Sequence, residues 1–334
     1  YVECLESRRE EGVWITRARD AMTGDTFEIR SRVLINAAGP WVDQLNQRAG
    51  QRTEHHHVFS KGIHLIVPRL TDSRRVLAFF ADDGRLFFVI PMGPRTCIGT
   101  TDTRVESPEV GATEEDIRFV LDNINKRLAL SKPLDASDII ATRCGVRPLA
   151  VKPSGGGERD FLNLSRKHAI DLDRQRAHLS IFGGKLTDCL NVGEEVVEAV
   201  RGLGIEVPYP RQRWYGEPDA SVREAFLHQA RLMDLDAMTA EHASEPLSQR
   251  LWRRYGSQAF EMLEAIRQDE RQAEVLIEGT EYLRVELEQA RRREMVTRLE
   301  DFLRRRSKVS LVVSEESIRR SPGLQEACDI LFGD

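Results

Sequence analysis

An α+β fold is predicted by three features of the sequence. Strand-like runs occupy the chain as far as about Thr103. A further short strand, His178 to Phe182, ends in paired glycines, and from about Pro208 apolar residues recur at helical spacing with few prolines or glycines. At 334 residues the chain has room for two or three domains, since a domain usually takes roughly 100 to 200 residues.

The elements follow in order. The opening run YVECLESRREEGVWITRARD is strand-like, with a strand at Gly12 to Ala18, a turn at Met22 to Asp25 and a second strand at Thr26 to Arg30. In VLINAAGPW, the continuous apolar run Val33, Leu34, Ile35 predicts a strand covered on both faces. It ends in Ala37-Ala38-Gly39-Pro40, where small residues admit another backbone or a flat ligand and Pro40 suits the first position of a helix. Between Val58 and Thr103 the pattern is that of an antiparallel sheet, with Asp82-Asp83-Gly84 as a hairpin turn. ATEEDIRFVLDNINKRL predicts a helix capped by Thr113, with acids in its first turn and Ile117, Val120, Leu121, Ile124 and Leu128 on one stripe. Then come DIIATRCGVRPLAV, a glycine loop at Ser154 to Glu158, two short strands around Phe161 to Asp171 and the strand that enters the paired glycines. The helix after those glycines has the stripe Leu190, Val196, Val197 and Val200, with Gly193 leaving room for close packing. Arg291 to Lys308 is rich in arginine and carries Met295, Val296, Leu299, Phe302 and Leu303 at helical spacing. It reads as a solvated helix face over a core stripe, with contact to acidic lipid or a partner as the alternative.

Composition removes several classes. A net charge of -5 argues against a general nucleic-acid binder, whose affinity comes from clustered positive charge, although a local basic face stays open. The five cysteines are far apart, odd in number and without a CxxC pair, which suits reduced thiols in a cytosolic setting better than a disulfide frame or a zinc site. No apolar stretch approaches the roughly 20 residues that span a bilayer, and no signal peptide opens the chain, so any membrane contact is expected to be peripheral. The chain opens at Tyr1 directly in a strand-like run and reads as the later part of something longer.

The centre of SIFGGKLTDCLNVGEEV invites a phosphate-loop reading, which fails at Leu179 and Leu186, where the loop needs Gly and Ser or Thr. What survives is a buried strand, two glycines that let a ligand approach the backbone, and a helix start whose free N–H groups favour an anion, with Lys185 adding a charge. The alternative is an ordinary strand-to-helix turn. The dinucleotide pattern GxGxxG is absent, and Gly155-Gly156-Gly157 does not follow a long buried strand.

Taken in order, VLINAAGPWVDQL, KGIHLIVPR, FFVIPMGPRTCIGTTDT, CGVRPLAV and SIFGGKLT closely resemble the FAD-dependent glycerol-3-phosphate dehydrogenases of the glycine-oxidase and D-amino-acid-oxidase superfamily. LWRRYGSQAFEML and REMVTRLEDFLRRRSKV resemble that family's C-terminal helical domain. The resemblance implies an FAD/NAD(P)-binding-type domain, present in part, carried by residues 1–57 and 145–207. It also implies an antiparallel substrate-binding domain at 58–144 and an all-α C-terminal domain at 208–334. Family members begin with a βαβ unit that holds the FAD pyrophosphate, and this sequence resembles the portion after it. The chain alone is therefore expected to be inactive, and colourless or weak in holding flavin.

The chemistry implied is hydride transfer from C2 of sn-glycerol 3-phosphate to flavin N5, giving dihydroxyacetone phosphate, with electrons passed to a quinone. The implied location is cytoplasmic, peripheral on the inner face of the cell membrane, and a homodimer is admitted. The substrate is a small dianion with a secondary alcohol, so its site needs fixed cations and a proton acceptor. By resemblance Arg147 holds substrate, His64 is the proton acceptor, Lys185 lies near flavin and substrate, and Arg166 aligns loosely with another arginine near the substrate. Thr101 and Asp102 resemble a signature on the sheet facing the site and read equally as a turn cap. Ala38, Gly39, Gly183, Gly184, Lys185, Leu186 and Thr187 are expected to contact the flavin. No metal is expected at His55-His56-His57, because consecutive residues on an extended chain point to alternate sides and Glu54 is the one adjacent carboxylate. Two other readings remain open: an oxidase that passes electrons to oxygen, and a flavin-free binding or regulatory fragment.

Overall fold

The computed structural model describes residues 1–153, 166–209, 216–241 and 243–333. The glycine loop expected at Ser154 to Glu158 and the strand expected at Phe161 lie outside them. The strands are β1 (Val2–Glu10), β2 (Val13–Asp20), β3 (Thr26–Ser31), β4 (Leu34–Asn36), β5 (His56–Pro68), β6 (Leu77–Phe80), β7 (Leu86–Met92), β8 (Arg95–Gly99), β9 (Thr103–Val105), β10 (Ala141–Val151), β11 (His168–Asp173) and β12 (His178–Gly183). The helices are α1 (Val42–Arg48), α2 (Glu114–Arg127), α3 (Cys189–Arg201), α4 (Ala220–Leu232), α5 (Leu247–Tyr255), α6 (Ala259–Gln268), α7 (Arg284–Arg293), α8 (Val309–Val312), α9 (Glu315–Arg320) and α10 (Leu324–Phe332). They fall into two compact units, Tyr1–Gly62 with Thr101–Gly111 and Cys144–Gln212, and Ile63–Thr100 with Ala112–Arg143 and Arg213–Asp334.

In the first unit β1, β2 and β3 form an antiparallel meander. Its anchor is Trp14, fully buried, whose indole N–H donates to the carbonyls of Arg176 (2.8 Å) and Ala177 (3.1 Å) in the turn between β11 and β12. The second sheet has the order β11-β12-β4, antiparallel between β11 and β12 and parallel between β12 and β4. Here the structure corrects two expectations. Val33 to Ile35 is not covered on both faces, for β4 is the outer strand of this sheet and Ile35 is 41% exposed. The apolar stripe of α3 is likewise only partly covered, with no residue of that helix buried. Apolar spacing marks which face of an element can pack; it does not say what covers that face. The first residues of β5 pair with β9, Ser60 opposite Arg104.

In the second unit the later residues of β5 pair with β8, which pairs with β7 and in turn β6. The Asp82-Asp83-Gly84 turn closes β6 onto β7, with Gly84 at φ +82°, and the amide of Asp82 donates to the Asn123 side chain of α2 (3.0 Å). Thr113 and Asp116 form a reciprocal cap at the start of α2, whose Val120 and Ile124 are buried. The helical segment has two buried clusters, one around Phe226, Leu251, Trp252 and Met262, the other around Leu287, Phe302, Val309 and Leu331. The arginine-rich run is not one continuous helix. α7 stops at Arg293, Met295 takes a left-handed conformation (φ +51°) and is exposed, and a π-helical turn begins at Asp301. The carboxylate of Asp301 accepts from the amides of Thr297 and Arg298 (3.0 Å each) and starts this second segment locally. No described helix is long and apolar enough to cross a membrane.

The buried histidine His178 yields a test of the first unit. It is 1% exposed, packs 5.4 Å from the Trp14 ring, and its Nε2 has no hydrogen-bond partner among the described residues. Burial pushes its pKa down to about 4, so the unfolded chain takes up the proton more readily than the folded one. The associated stability is present above the ordinary value of 6.5 and is lost as pH falls toward 4, amounting to at most about 3 kcal/mol. The denaturation midpoint followed by tryptophan fluorescence should drop across that window, and His178→Phe should flatten the drop. An unchanged pH slope in the variant refutes this assignment.

Candidate cofactor and anion site

Two chain corners define the first part of the site. β4 and β12 run parallel with Asn36 opposite Ser180, so both strands end at the same edge of their sheet. β4 continues through Ala37 and Ala38 into a 3-10 turn (Gly39–Trp41) and α1, and β12 continues through Gly183, Gly184 and Lys185 into a 3-10 turn (Leu186–Asp188) and α3. Ligands of parallel α/β sheets gather beyond such strand ends. Buried Asn36 holds its corner by donating to Val42 O (2.9 Å) and Asn46 Oδ1 (2.8 Å), and Ser180 donates to the same Asn46 oxygen (3.0 Å). Gly39 has φ +57°, and a Cβ placed there meets nothing within 4 Å, so open space adjoins the first corner.

Glycine is required at both positions of the second corner. Gly183 and Gly184 have φ of +63° and +88°, and a Cβ on either would lie 3.0 Å from Lys167 O or His168 Cβ respectively. Two histidines brace this turn. The amide of Gly183 donates to His57 Nε2 (3.1 Å), which places the His57 proton on Nδ1, 3.3 Å from the Asp43 carboxylate. Burial pushes the Asp43 carboxyl up, but the bonds from His57 and the nearness of His56 outweigh it, and its pKa lies below the ordinary carboxylate value. His168 contacts Asp188 through Nδ1 (2.7 Å) and Glu195 through Nε2 (3.1 Å), tying β11 to the start of α3. Its pKa is raised, by Glu195 first and Asp188 after it, against the opposing effect of burial. Lys185, Leu186 and Thr187 are exposed, Leu186 by 90%, and no side chain among the described residues caps the 3-10 turn. Its first N–H groups therefore remain available to an electron-rich ligand.

A cationic cluster stands beside that turn. Arg147 lies on β10, and Ala150 of the same strand touches the turn, its amide 3.2 Å from the Cβ position of Gly183. The Arg147 guanidinium covers Gly62 so closely that a Cβ there would sit 2.5 Å from Nη1. Nη1 of Arg147 donates to Ser60 Oγ (3.5 Å), the Ser60 hydroxyl donates to Asp102, and Arg166 Nη2 donates to the other oxygen of Asp102 (3.2 Å). Arg166 thus meets the Asp102 carboxylate directly and Arg147 is linked to it through Ser60, and guanidinium forks of this kind suit a phosphate or an alkoxide-like oxygen. Asp102 thereby joins the two arginines, and the strand that carries Arg147 touches the glycine turn at Ala150. Thr101 is buried beside Asp102.

His64 belongs to the second unit, half-buried on β5 opposite Gly99, whose missing side chain leaves room for the imidazole: a Cβ there would stand 3.0 Å from His64 Cδ2. The neighbouring histidine run has other work. His55 Nδ1 contacts Asp171 (2.7 Å), and His57 braces the glycine turn. Sequence reasoning missed Ser60, Asp43, His168 and Glu195, and treated His57 only as a metal candidate. One signal was available: a glycine inside a strand, as at Gly62, marks a close approach by another group.

The profile of the family described as "FAD dependent oxidoreductase" matches residues 2–168, and that of the "C-terminal domain of alpha-glycerophosphate oxidase" matches residues 220–328. Glycerol-3-phosphate dehydrogenase 2 of Mycobacterium tuberculosis is 30% identical over 300 residues, which cover 88% of this chain and 49% of that protein. The aerobic glycerol-3-phosphate dehydrogenase of Escherichia coli is 32% identical over 209 residues, 59% of this chain and 40% of that one. Among solved structures, the glycerol-3-phosphate dehydrogenase of Bacillus halodurans, complexed with FAD, superposes with a TM-score of 0.75 at 26% identity, covering 100% of this chain and 65% of that one. The chain spans about half the length of the mycobacterial relatives. By this profile match and the geometry of its glycine corners, the chain belongs to the FAD-dependent oxidoreductase family and carries a C-terminal domain of the alpha-glycerophosphate oxidase type.

Proposed function

We propose that the chain forms the substrate-facing portion of an FAD-dependent dehydrogenase that oxidises sn-glycerol 3-phosphate to dihydroxyacetone phosphate and hands the electrons to a quinone. The observation that carries this reading is the pair Arg147 and Arg166, joined through Asp102 and Ser60, standing beside a glycine turn with uncapped N–H groups. The residues present fit FAD. Two left-handed glycines, the open space at Gly39 and the exposed Leu186 admit a flat ring system and let backbone groups approach it. Ala38, Gly39 and residues 183–187 would hold it, and FAD when bound supplies the hydride acceptor. The names of the relatives support the substrate, as does the chemistry of an arginine pair facing a dianion.

The chain's own groups divide the remaining work. Arg147 and Arg166 bind and orient the phosphate, with Asp102 holding Arg166 directly and Arg147 through Ser60. Lys185 stabilises negative charge that develops near the turn. His64 takes the hydroxyl proton of the substrate, an assignment that rests on the KGIH resemblance. The electron acceptor and a peripheral position on the inner face of the cell membrane complete the proposal.

Three measurements test it. Joined to the family's βαβ unit that holds the FAD pyrophosphate, the chain mixed anaerobically with FAD and glycerol 3-phosphate should bleach the oxidised flavin absorbance, and the activity and flavin-binding variants below are measured in that same joined protein. Arg147→Ala should raise KM for the phosphate ester about tenfold or more and leave the reaction with free glycerol little changed. Equal losses with both substrates count against phosphate binding by this cluster. Rapid peroxide production on admitting oxygen sinks the quinone reading in favour of an oxidase.

The brace of the glycine turn is testable separately. His57→Ala leaves the Gly183 amide without its acceptor and should weaken FAD binding at a local cost of about 1–3 kcal/mol, with circular dichroism unchanged. His168, whose raised pKa favours its charged form, should stabilise the start of α3 fully below pH 6.5, the contribution fading as pH rises through the raised value. Hydrogen exchange at the amides of α3 should quicken over that range, and His168→Gln should abolish the change.

A further inference from the structure

We propose that the second unit carries a binding site for a small, multiply charged phosphate compound, separate from the cluster around Arg147. Within this unit a cavity of about 880 Å³ opens between the β7–β8 turn and the helical segment. That volume falls within the roughly 300–1,000 Å³ usual for small-molecule sites. Seven cationic side chains line it against three carboxylates, in a chain whose net charge is -5.

The pairing of these charges decides the reading. Arg253 is engaged by Glu245, Arg254 by Glu286 and Glu281, and Arg305 by Asp301 and Glu300. Arg69, Arg74, Arg306 and Lys308 have no carboxylate within ion-pair distance among the described residues. Arg69 spends its donors on the carbonyls of Thr71 (3.0 Å), Gly93 (2.7 Å) and Asp72 (3.3 Å), which fixes its guanidinium without neutralising it. Arg306 donates to the carbonyl of Glu294 (2.6 Å) and acts on that residue's carboxylate from beyond ion-pair distance. On the acidic side, Glu281 is committed to Arg254, Glu294 is partly buried, where desolvation raises its pKa, and Glu241 is an exposed carboxylate of the lining, so cations outside ion pairs still outnumber the carboxylates that face them.

The four cations outside ion pairs line the cavity from two parts of the chain, Arg69 and Arg74 between β5 and β6, Arg306 and Lys308 in the helical segment. A single carboxylate satisfies one group. A compound with several phosphate oxygens reaches both, and its charge and acceptor geometry match guanidinium and ammonium donors. Pro91, Met92 and Pro94 supply an apolar rim for an organic portion.

Isothermal titration calorimetry of the full chain with inorganic pyrophosphate tests the site. Arg147→Ala serves as the background, so that the first unit's cluster does not contribute. We expect saturable one-to-one binding that weakens at high salt and falls about tenfold with Lys308→Gln and with Arg74→Gln. Neither of these two side chains forms a hydrogen bond within the described protein, so both variants should keep the wild-type melting temperature. Arg320→Gln, in the exposed pair with Glu316, should leave binding unchanged. No binding at millimolar pyrophosphate overturns the proposal, and so does binding that all three substitutions leave equal. A second arm uses phosphatidylcholine vesicles containing phosphatidylglycerol: sedimentation with vesicles but no pyrophosphate binding also overturns it, assigning the charge to a lipid surface.

Discussion

The candidate site depends on one short parallel pairing. β12 and β4 meet over three residue pairs, ending with Ser180 opposite Asn36, and that register puts the exits of both strands at the same edge. A slip of one residue would turn every side chain of β4 to the other face and separate the corners. Three residue pairs are a small hold on such a register. The buried side chains supply the rest: Asn46 of α1 accepts from Asn36 and from Ser180, so helix and both strands share one acceptor. Buried polar groups are costly unless satisfied, and this dependence rejects other registers more sharply than apolar packing would.

From those corners outward, charge and hydrogen bonding take over from packing. The glycine turn has no side-chain cap among the described residues and little burial of its own, with Lys185 to Thr187 exposed. Its conformation is imposed from outside, by His57 beneath Gly183 and by the His168 contacts to Asp188 and Glu195. This leaves the exposed face of the turn free to meet a ligand while its buried side is fixed, which is the preorganisation that binding and catalysis both need. The arginine cluster uses the same device. Asp102 takes hydrogen bonds from Ser60 and Arg166, and Ser60 in turn accepts from Arg147, so both arginines are ordered before any ligand arrives and less rotamer entropy remains to be lost on binding.

Local chemistry was legible in the sequence; the partners across the fold were not. The Asp82-Asp83-Gly84 hairpin and the Thr113 cap depend on neighbours within four residues, and both formed where residue type and spacing predicted. Arg147 and Lys185 stood out through the family resemblance of CGVRPLAV and SIFGGKLT, and the glycine at position 62 inside a strand was a signal left unread. Ser60 gave no signal, because its meaning comes from Asp102, 42 positions away, and from Arg147, 87 positions away. The braces fail for the same reason: His57 meets Gly183 across 126 residues. The misreadings are also physical. Continuous apolar residues at Val33 to Ile35 describe an outer strand as well as a central one, and periodic apolar residues in the arginine-rich run could not disclose that Asp301 starts a new segment.

In the helical segment a buried carboxylate plays the organising part. Glu286 accepts from Arg250 (2.7 Å), Arg254 (3.1 Å), the hydroxyl of Tyr255 (3.0 Å) and the amide of Leu283 (2.9 Å), and the Arg250–Glu286 side chains are almost wholly buried. Such a pair adds little net stability, since desolvating both ions offsets most of their attraction, yet removing either partner strands a charge. Its value is in register: α5 must present Arg250, Arg254 and Tyr255 on one face to the first turn of α7, and no shifted packing satisfies all four donors. Arg254 also stacks on Tyr282, its guanidinium 4.3 Å from the ring, so its charge is directed inward. Consumption of that cation by the core separates the paired arginines of the cavity wall from the unpaired ones. The positive face left to Arg69, Arg74, Arg306 and Lys308 is therefore built on a neutralised interior, and its charge is available to whatever enters.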